Sequence, residues 1–252
     1  MAISFVGIRN DWVTQFSFTT SWQLNKPTGV QEGDLMIGFL HAGSKYISSE
    51  SQMTVLTPPS GWTTLRWVQE TSPFLNYWIG YRIAGASEPT SWTGAIDQTW
   101  SVSSITLAYR GVDTGGPFVV ENSSSTSSGT TTLATATVNN NDAASWRVSG
   151  FCQRDGTANT WTSTDTERGE SVPHTNSWFM SGAVYDSNGT IATGNTSVTG
   201  TSNNTWESAA SWIGILKAAG SAVEQADAEA VALSTAANKP TPGVKVSVPW
   251  NA

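Results

Sequence analysis

The sequence predicts an all-β protein: an antiparallel two-sheet β-sandwich of the jelly-roll type, followed by a short C-terminal helix and an extended arm. Helical periodicity is nearly absent before residue 218, and apolar residues alternate with polar ones along short segments. Gly, Pro, Asn, Asp and Ser separate these segments, as they do between short strands. We expect about 11 to 14 strands, which need two packed sheets to bury their apolar faces.

Six segments carry the strand pattern most clearly. Residues 35–40 are apolar on both faces, which predicts a central strand. The other five show period-two alternation and lie at residues 77–83, 105–109, 146–152, 178–184 and 210–216.

The domain organisation predicted from composition is a sandwich over residues 1–217 and a helix plus arm over 218–252. The low-complexity run 122–132 is either a flexible loop or an exposed edge strand, and we interpret it as a connection within one domain. No internal repeat is detected, and two sub-sandwiches at 1–120 and 133–217 are the less favoured alternative.

The C-terminal residues are predicted to form an assembly arm. An alanine-rich stretch has helical spacing, and the extended segment after it could add a strand to a neighbouring sheet. Folding back onto the same sandwich, or fraying, is the alternative. The candidate contact residues are Val223, Leu233, Val244, Val246, Val248 and Trp250.

Composition excludes several functional classes. A net charge of −7 with only 12 Lys and Arg argues against binding to nucleic acid. No apolar run is long enough to span a membrane, and residues 1–6 do not resemble a signal peptide. The single cysteine, Cys152, excludes an intrachain disulfide and is expected to be a small buried hydrophobe.

No catalytic or cofactor motif stands out. The two histidines, His41 and His174, and one cysteine cannot build a usual zinc site, and nucleotide-binding loops are missing, so we expect no cofactor. The segment 154–174 is the densest charge cluster, and Asp165 with Glu170 could serve glycoside hydrolysis. We interpret the cluster instead as a solvated loop, and the protein as not an enzyme.

Tryptophan offers the other candidate chemistry, because indole rings can stack on sugars while Asn, Asp and Gln hold the hydroxyl groups. The candidate glycan contacts are Trp161, Asp165 and Trp62. The sequence does not choose among the eight tryptophans expected near strand ends or loops, which are Trp12, Trp22, Trp62, Trp67, Trp92, Trp100, Trp161 and Trp206.

A series of strand and turn motifs resembles a module of tailed bacteriophages, in particular phages of actinobacteria, that is described as a minor tail or virion structural protein. The resemblance covers roughly residues 30–216, and its motifs contain no active site. The chain departs from long fibre proteins, since it is short and has no collagen-like or coiled-coil shaft. The motifs are Glu32-Gly33-Asp34 with residues 35–40, residues 58–63, residues 81–84, Ser87-Glu88-Pro89, Trp92 and residues 108–113.

The resemblance implies a non-enzymatic virion protein, assembled in the host cytoplasm, at the tail tip, as a head decoration or as a head fibre. The partners expected are other capsid or tail proteins and further copies of this chain, for example in a trimer. The alternative is a carbohydrate-binding module that adheres to host cell-wall glycan, which is compatible with a place on the virion.

Overall fold

The structure, a computed structural model, describes most of the first 221 residues of the chain, and these contain eighteen β-strands and no helix. Residues 1–220 form a compact unit. The described ranges are 1–13, 19–43, 56–71, 74–99, 101–127, 129–155, 160–171, 179–205 and 208–221.

The first half of the compact unit, residues 1–112, holds eight strands. Five form a central sheet in the order β1-β8-β3-β6-β5, and three form an outer sheet in the order β2-β7-β4. The strands are β1 (Ser4–Val13), β2 (Thr19–Asn25), β3 (Leu35–Gly43), β4 (Leu56–Thr57), β5 (Thr63–Thr71), β6 (Phe74–Ile83), β7 (Ser91–Thr99) and β8 (Ser101–Arg110).

The second half, residues 113–221, holds ten strands. Its central sheet has the order β14-β15-β12-β18-β9, and two small outer sheets have the orders β10-β17-β13 and β11-β16. The strands are β9 (Phe118–Thr126), β10 (Thr132–Ala134), β11 (Val138–Asn140), β12 (Trp146–Asp155), β13 (Trp161–Ser163), β14 (Thr166–Ser171), β15 (Phe179–Asp186), β16 (Gly194–Thr196), β17 (Thr199–Ser202) and β18 (Ser208–Leu216).

The two halves share one topology. In the first, β1 pairs with β8, β2 with β7 and β3 with β6, so the chain runs as a long hairpin rolled into two layers. In the second, β9 pairs with β18, β10 with β17, β11 with β16 and β12 with β15. Among the described strands, the pair formed by β11 and β16 has no counterpart in the first half. Apart from this pair, the molecule is a topological duplication of a jelly roll.

The central sheets face each other with the symmetry of a two-fold axis. Strand β1 lies against β14, and its counterpart β9 lies against β5, while β3 opposes β12 near the centre. The shared core between the sheets is aromatic: the rings of Phe39 and Trp212 have centroids 5.7 Å apart, and those of Tyr109 and Trp146 6.4 Å apart. Each half also has its own outer core beneath its outer sheet.

Glycines in the second half make room for rings of the first half. A Cβ at Gly150 would lie 2.3 Å from Tyr77 Oη and 2.8 Å from Phe39, and a Cβ at Gly182 would lie 2.1 Å from His41. A side chain at either glycine would therefore collide with these rings in the shared core.

The structure confirms the prediction of an all-β protein with antiparallel sheets packed as a sandwich. It has more strands than the 11 to 14 expected, because short strands such as β4 and β10 are too short to show a period. Of the low-complexity run, residues 122–126 belong to β9, an edge strand of the central sheet. Cys152 is a free, fully buried thiol, as expected.

The first residues of the predicted C-terminal segment, Ala218 and Ala219, pair with the first half. Ala218 forms an isolated bridge with Val112, and the N–H of Ala219 donates to Gly111 O over 2.9 Å, so these residues belong to the compact unit. The described residues contain no helix long and apolar enough to cross a membrane. The arm residues Val223, Leu233, Val244, Val246, Val248 and Trp250 lie outside the described part.

Candidate functional site

The two tryptophans suggested for glycan contact lie in different outer cores. Trp62 packs edge-on against Trp92 and Trp78, with ring centroids 5.3 Å and 6.4 Å apart. Trp161 stacks on Phe151 in the second half, with centroids 5.4 Å apart. Trp62 is 8% exposed and Trp161 is 1% exposed, so neither ring offers a face on which a sugar could stack.

Asp165, the third candidate, closes a turn of the framework. Arg147 binds its carboxylate in a bidentate manner, with Nε 2.9 Å from Oδ2 and Nη2 2.6 Å from Oδ1. The Asp165 side chain is only 6% exposed. Both carboxylate oxygens are thus engaged by the guanidinium rather than turned outward to hold a sugar hydroxyl.

Other members of the charge cluster also tie strands together. Arg168 donates to Asp186 over 2.7 Å and lies over the ring of Phe5, 4.2 Å from its centroid. Glu170 accepts the backbone N–H of Trp161 over 2.6 Å. Burial raises the pKa of Glu170, against the effect of that hydrogen bond. The segment described is therefore part of the sheet structure rather than the solvated loop expected, while His174 lies outside the described residues.

A histidine and two serines meet in the shared core. His41 Nδ1 lies 3.2 Å from Ser103 Oγ and 3.4 Å from Ser171 Oγ, and the two hydroxyl oxygens are 3.1 Å apart. All three residues are buried. Burial lowers the pKa of His41 to about 3, so the ring is neutral at physiological pH. In the described structure a substrate has no access to this cluster. The cluster instead joins the two halves, since His41 and Ser103 belong to the first half and Ser171 belongs to the second.

A shallow cleft of about 300 Å³ lies where the two halves meet near the amino terminus. The amino group of Met1 donates to Ala219 O over 2.9 Å beside this cleft. Arg110 and Asp34 line it but bind each other in a bidentate ion pair. The amino group, Arg110 and Asp34 are therefore already partnered.

One tryptophan stands apart from all of these. Trp67 on β5 is 41% exposed, and Met1 is the only other large hydrophobic residue of the described chain that is comparably open. Trp67 pairs in register with Trp78 of β6, so its ring lies on the outer face of the central sheet. Strand β2 of the outer sheet covers β1 and β8 at the opposite edge, whereas β5 is itself an edge strand.

Two amides accompany the exposed ring. Asn76 Oδ1 accepts a hydrogen bond from Trp67 Nε1 over 3.3 Å and another from Gln69 Nε2 over 2.8 Å. Asn76 is buried and Gln69 is exposed. We call Trp67, Gln69 and Asn76 the β5 platform. No signal in the sequence distinguishes Trp67 from the other tryptophans.

Of the remaining tryptophans considered, Trp22 and Trp92 are buried. Trp100, Trp206 and the side chain of Trp12 lie outside the described part. In that part no group of three or more His, Cys, Asp or Glu side chains could hold a metal ion. Comparison with known protein families, curated proteins and solved structures finds no match to this chain.

Proposed function

We propose that this chain is a non-enzymatic structural protein of a bacteriophage virion, in the tail or on the head, with its sandwich exposed on the particle. The observation that carries the proposal is the role of the phage-like motif residues, which build the framework of the first half. Asp34 and Arg110 join the start of β3 to the end of β8 by two hydrogen bonds of 2.9 Å and 2.8 Å.

A second pair of motif residues closes the turn after β6. Arg82 Nε donates to both carboxylate oxygens of Glu88 over 3.0 Å, and Arg82 Nη1 donates to Gly61 O over 2.9 Å. Burial opposes ionisation of Glu88, but the hydrogen bonds from Arg82 and Gly85 outweigh it and lower the pKa. Motif residues that bind one another in this way support an architectural role rather than a reaction.

The outward faces of the outer sheets also support an exposed coat. Across the sheet of β10, β17 and β13, three exposed threonines lie in one row: Thr132, Thr201 and Thr162. On the outer sheet of the first half, Thr57 and Thr93 are likewise exposed. Small uncharged side chains of this kind make a hydrated surface without an apolar patch.

Particle fractionation tests the proposal. Virions from the source that encodes the chain, purified on a density gradient, should contain its peptides by mass spectrometry. Antibodies against residues 1–221 should label intact particles at a constant position in electron micrographs. Recovery of the chain only in the soluble fraction of the lysate would disprove a place on the virion.

The C-terminal arm is proposed to anchor the chain to a neighbouring virion protein. Deletion of residues 222–252 keeps Ala218 and Ala219, which pair with the first half, so the compact unit should fold with an unchanged Tm. Incorporation into particles should fall sharply. Normal incorporation of this deletion variant would refute the anchoring role.

A further inference from the structure

We propose that the β5 platform is a binding site for a neutral polysaccharide, with Trp67 stacking on a pyranose ring and the Gln69 amide hydrogen-bonding to its hydroxyl groups. The site differs from the buried candidates Trp62 and Trp161. It does not depend on the virion proposal and would serve an adhesive role on any particle or surface.

The ring is held in a fixed orientation before any ligand arrives. The hydrogen bond from Trp67 Nε1 to Asn76 Oδ1 restrains the indole edge, and Asn76 is itself buried in β6. Gln69 donates to the same oxygen, so both exposed side chains share one buried anchor. A restrained ring loses less rotamer entropy on binding, which favours affinity for a rigid partner.

The platform also has the spacing of a sugar unit. Trp67 and Gln69 are two residues apart on one face of β5, which places their Cα atoms roughly 6.7 Å apart in an extended strand. Thr64 is exposed on the same face, on the other side of Trp67. An aromatic face with polar groups on both sides suits a ring that has apolar C–H faces and a hydroxylated rim.

The charge of the surroundings favours a neutral ligand. The described exposed side chains on this face of β5, Thr64, Trp67 and Gln69, are all uncharged. The neighbouring Arg66 lies on the opposite face, where it binds Glu121 of β9 at 2.8 Å. No described cation is therefore positioned on the platform to select an acidic sugar or a phosphate.

The isolation of the ring argues for a glycan rather than a protein partner. Protein interfaces have a contiguous apolar centre, and aromatic anchors there are surrounded by further apolar contacts. Among the described residues, Met1 is the only other exposed large hydrophobic side chain, and the exposed neighbours of Trp67 on its face of β5 are polar and uncharged. One stacked sugar with a few hydrogen bonds gives weak affinity, which many copies on a particle would raise by avidity.

Fluorine NMR of the full chain labelled with 5-fluorotryptophan tests the site. The 13 tryptophans give separate probes, and the Trp67 resonance is assigned by its loss in Trp67→Phe. Titration with cellohexaose and with chitohexaose should displace that resonance in a saturable way. Affinity, measured by isothermal titration calorimetry because the Trp67 resonance is lost in the alanine variant, should fall at least about tenfold in Trp67→Ala and about threefold in Gln69→Ala, which are losses of about 1.4 and 0.6 kcal/mol.

The matched control is Thr93→Ala, an exposed outward position on β7, which should bind the sugar as the unmodified chain does. Trp67→Ala removes an exposed side chain, and an unchanged Tm verifies that it is folded. The proposal is overturned if neither oligosaccharide displaces the Trp67 resonance, or if Trp67→Ala binds normally. A Trp67 resonance that moves with protein concentration and not with sugar would assign the ring to a protein contact and also overturn the proposal. None of these outcomes affects the test for virion incorporation.

Discussion

The two halves of the molecule have the same strand order but different residues where they meet. Their correspondence extends to irregularities: β1 has a bulge between Phe5 and Gly7, and β9 has one at the equivalent point, after Phe118. Strands β5 and β14 also carry bulges at equivalent points of their ladders. Bulges on edge strands hinder pairing with other molecules, so both halves use one device to protect their edges.

At the shared core, equivalent positions differ in size and compensate each other. The strand registers make Phe39 equivalent to Gly150 and Tyr77 to Gly182. They also make Ile105 of β8 equivalent to Trp212 of β18, so at this position the larger side chain lies in the second half. Each half is therefore complementary to the other half and not to a second copy of itself. A two-fold architecture can thus have a core that fits in only one way.

The largest effect on this complementarity should come from filling a glycine of the second half. In Gly182→Ala the new methyl group would lie 2.1–2.7 Å from three ring atoms of His41, which is buried between the sheets. We expect a loss of about 3 kcal/mol in the free energy of unfolding, measured by urea denaturation. Gly116→Ala is the control, since a Cβ there meets no atom within 4 Å. Equal stability of the two variants would show that the halves are not tightly matched.

The next effect is a pH dependence of the stability that arises in the first half only. His41 lies in the first half, and the equivalent position in the second half is occupied by Cys152. Burial lowers the pKa of His41 to about 3. The unfolded chain takes up a proton as pH falls through about 6.5 and the folded chain does not, so the stability is present above that pH and is lost below it. Between pH 7.5 and 5.0 the unfolding free energy should fall by about 2 kcal/mol from this residue.

His41→Gln should flatten the profile between pH 7.5 and 5.0, whereas His174→Gln provides the comparison at the other histidine. Urea denaturation at a series of pH values measures both. If the profile of His41→Gln is as steep as that of the unmodified chain, His41 is not the group that titrates.

The smallest effect is the difference in stability between variants of the ion pairs at the end of each half. Arg110 and Lys217 occupy equivalent positions, but Arg110 binds a buried Asp34 in a bidentate pair, whereas Lys217 binds the more exposed Asp113 at 3.1 Å. A backbone hydrogen bond from Gly115, then Lys217, lowers the pKa of Asp113. Asp34→Ala should cost about 2 kcal/mol, and Asp113→Ala less than about 1 kcal/mol. Thermal unfolding ranks the two variants, and the reverse order would refute the contrast.

Much of the fold follows from the sequence because strand patterning is local. The alternation at 146–152 places Trp146, Val148 and Cys152 in the shared core, as the period of two requires. The burial of Cys152 and the all-β class follow from the same local rules. The duplication does not, since equivalent positions such as Phe39 and Gly150 share a register but no chemistry.

The candidate site was decided by tertiary structure alone. Trp62 and Trp67 are close in sequence, one just before β5 and the other at its middle, yet one ring is buried against Trp92 and the other is open. The sequence by itself determined only that two tryptophans lie five residues apart in one segment of the chain. Whether a ring is covered depends on which layer packs over its strand, and that is set by long-range pairing: Trp67 is exposed because β5 is the edge strand farthest from the outer sheet strand β2.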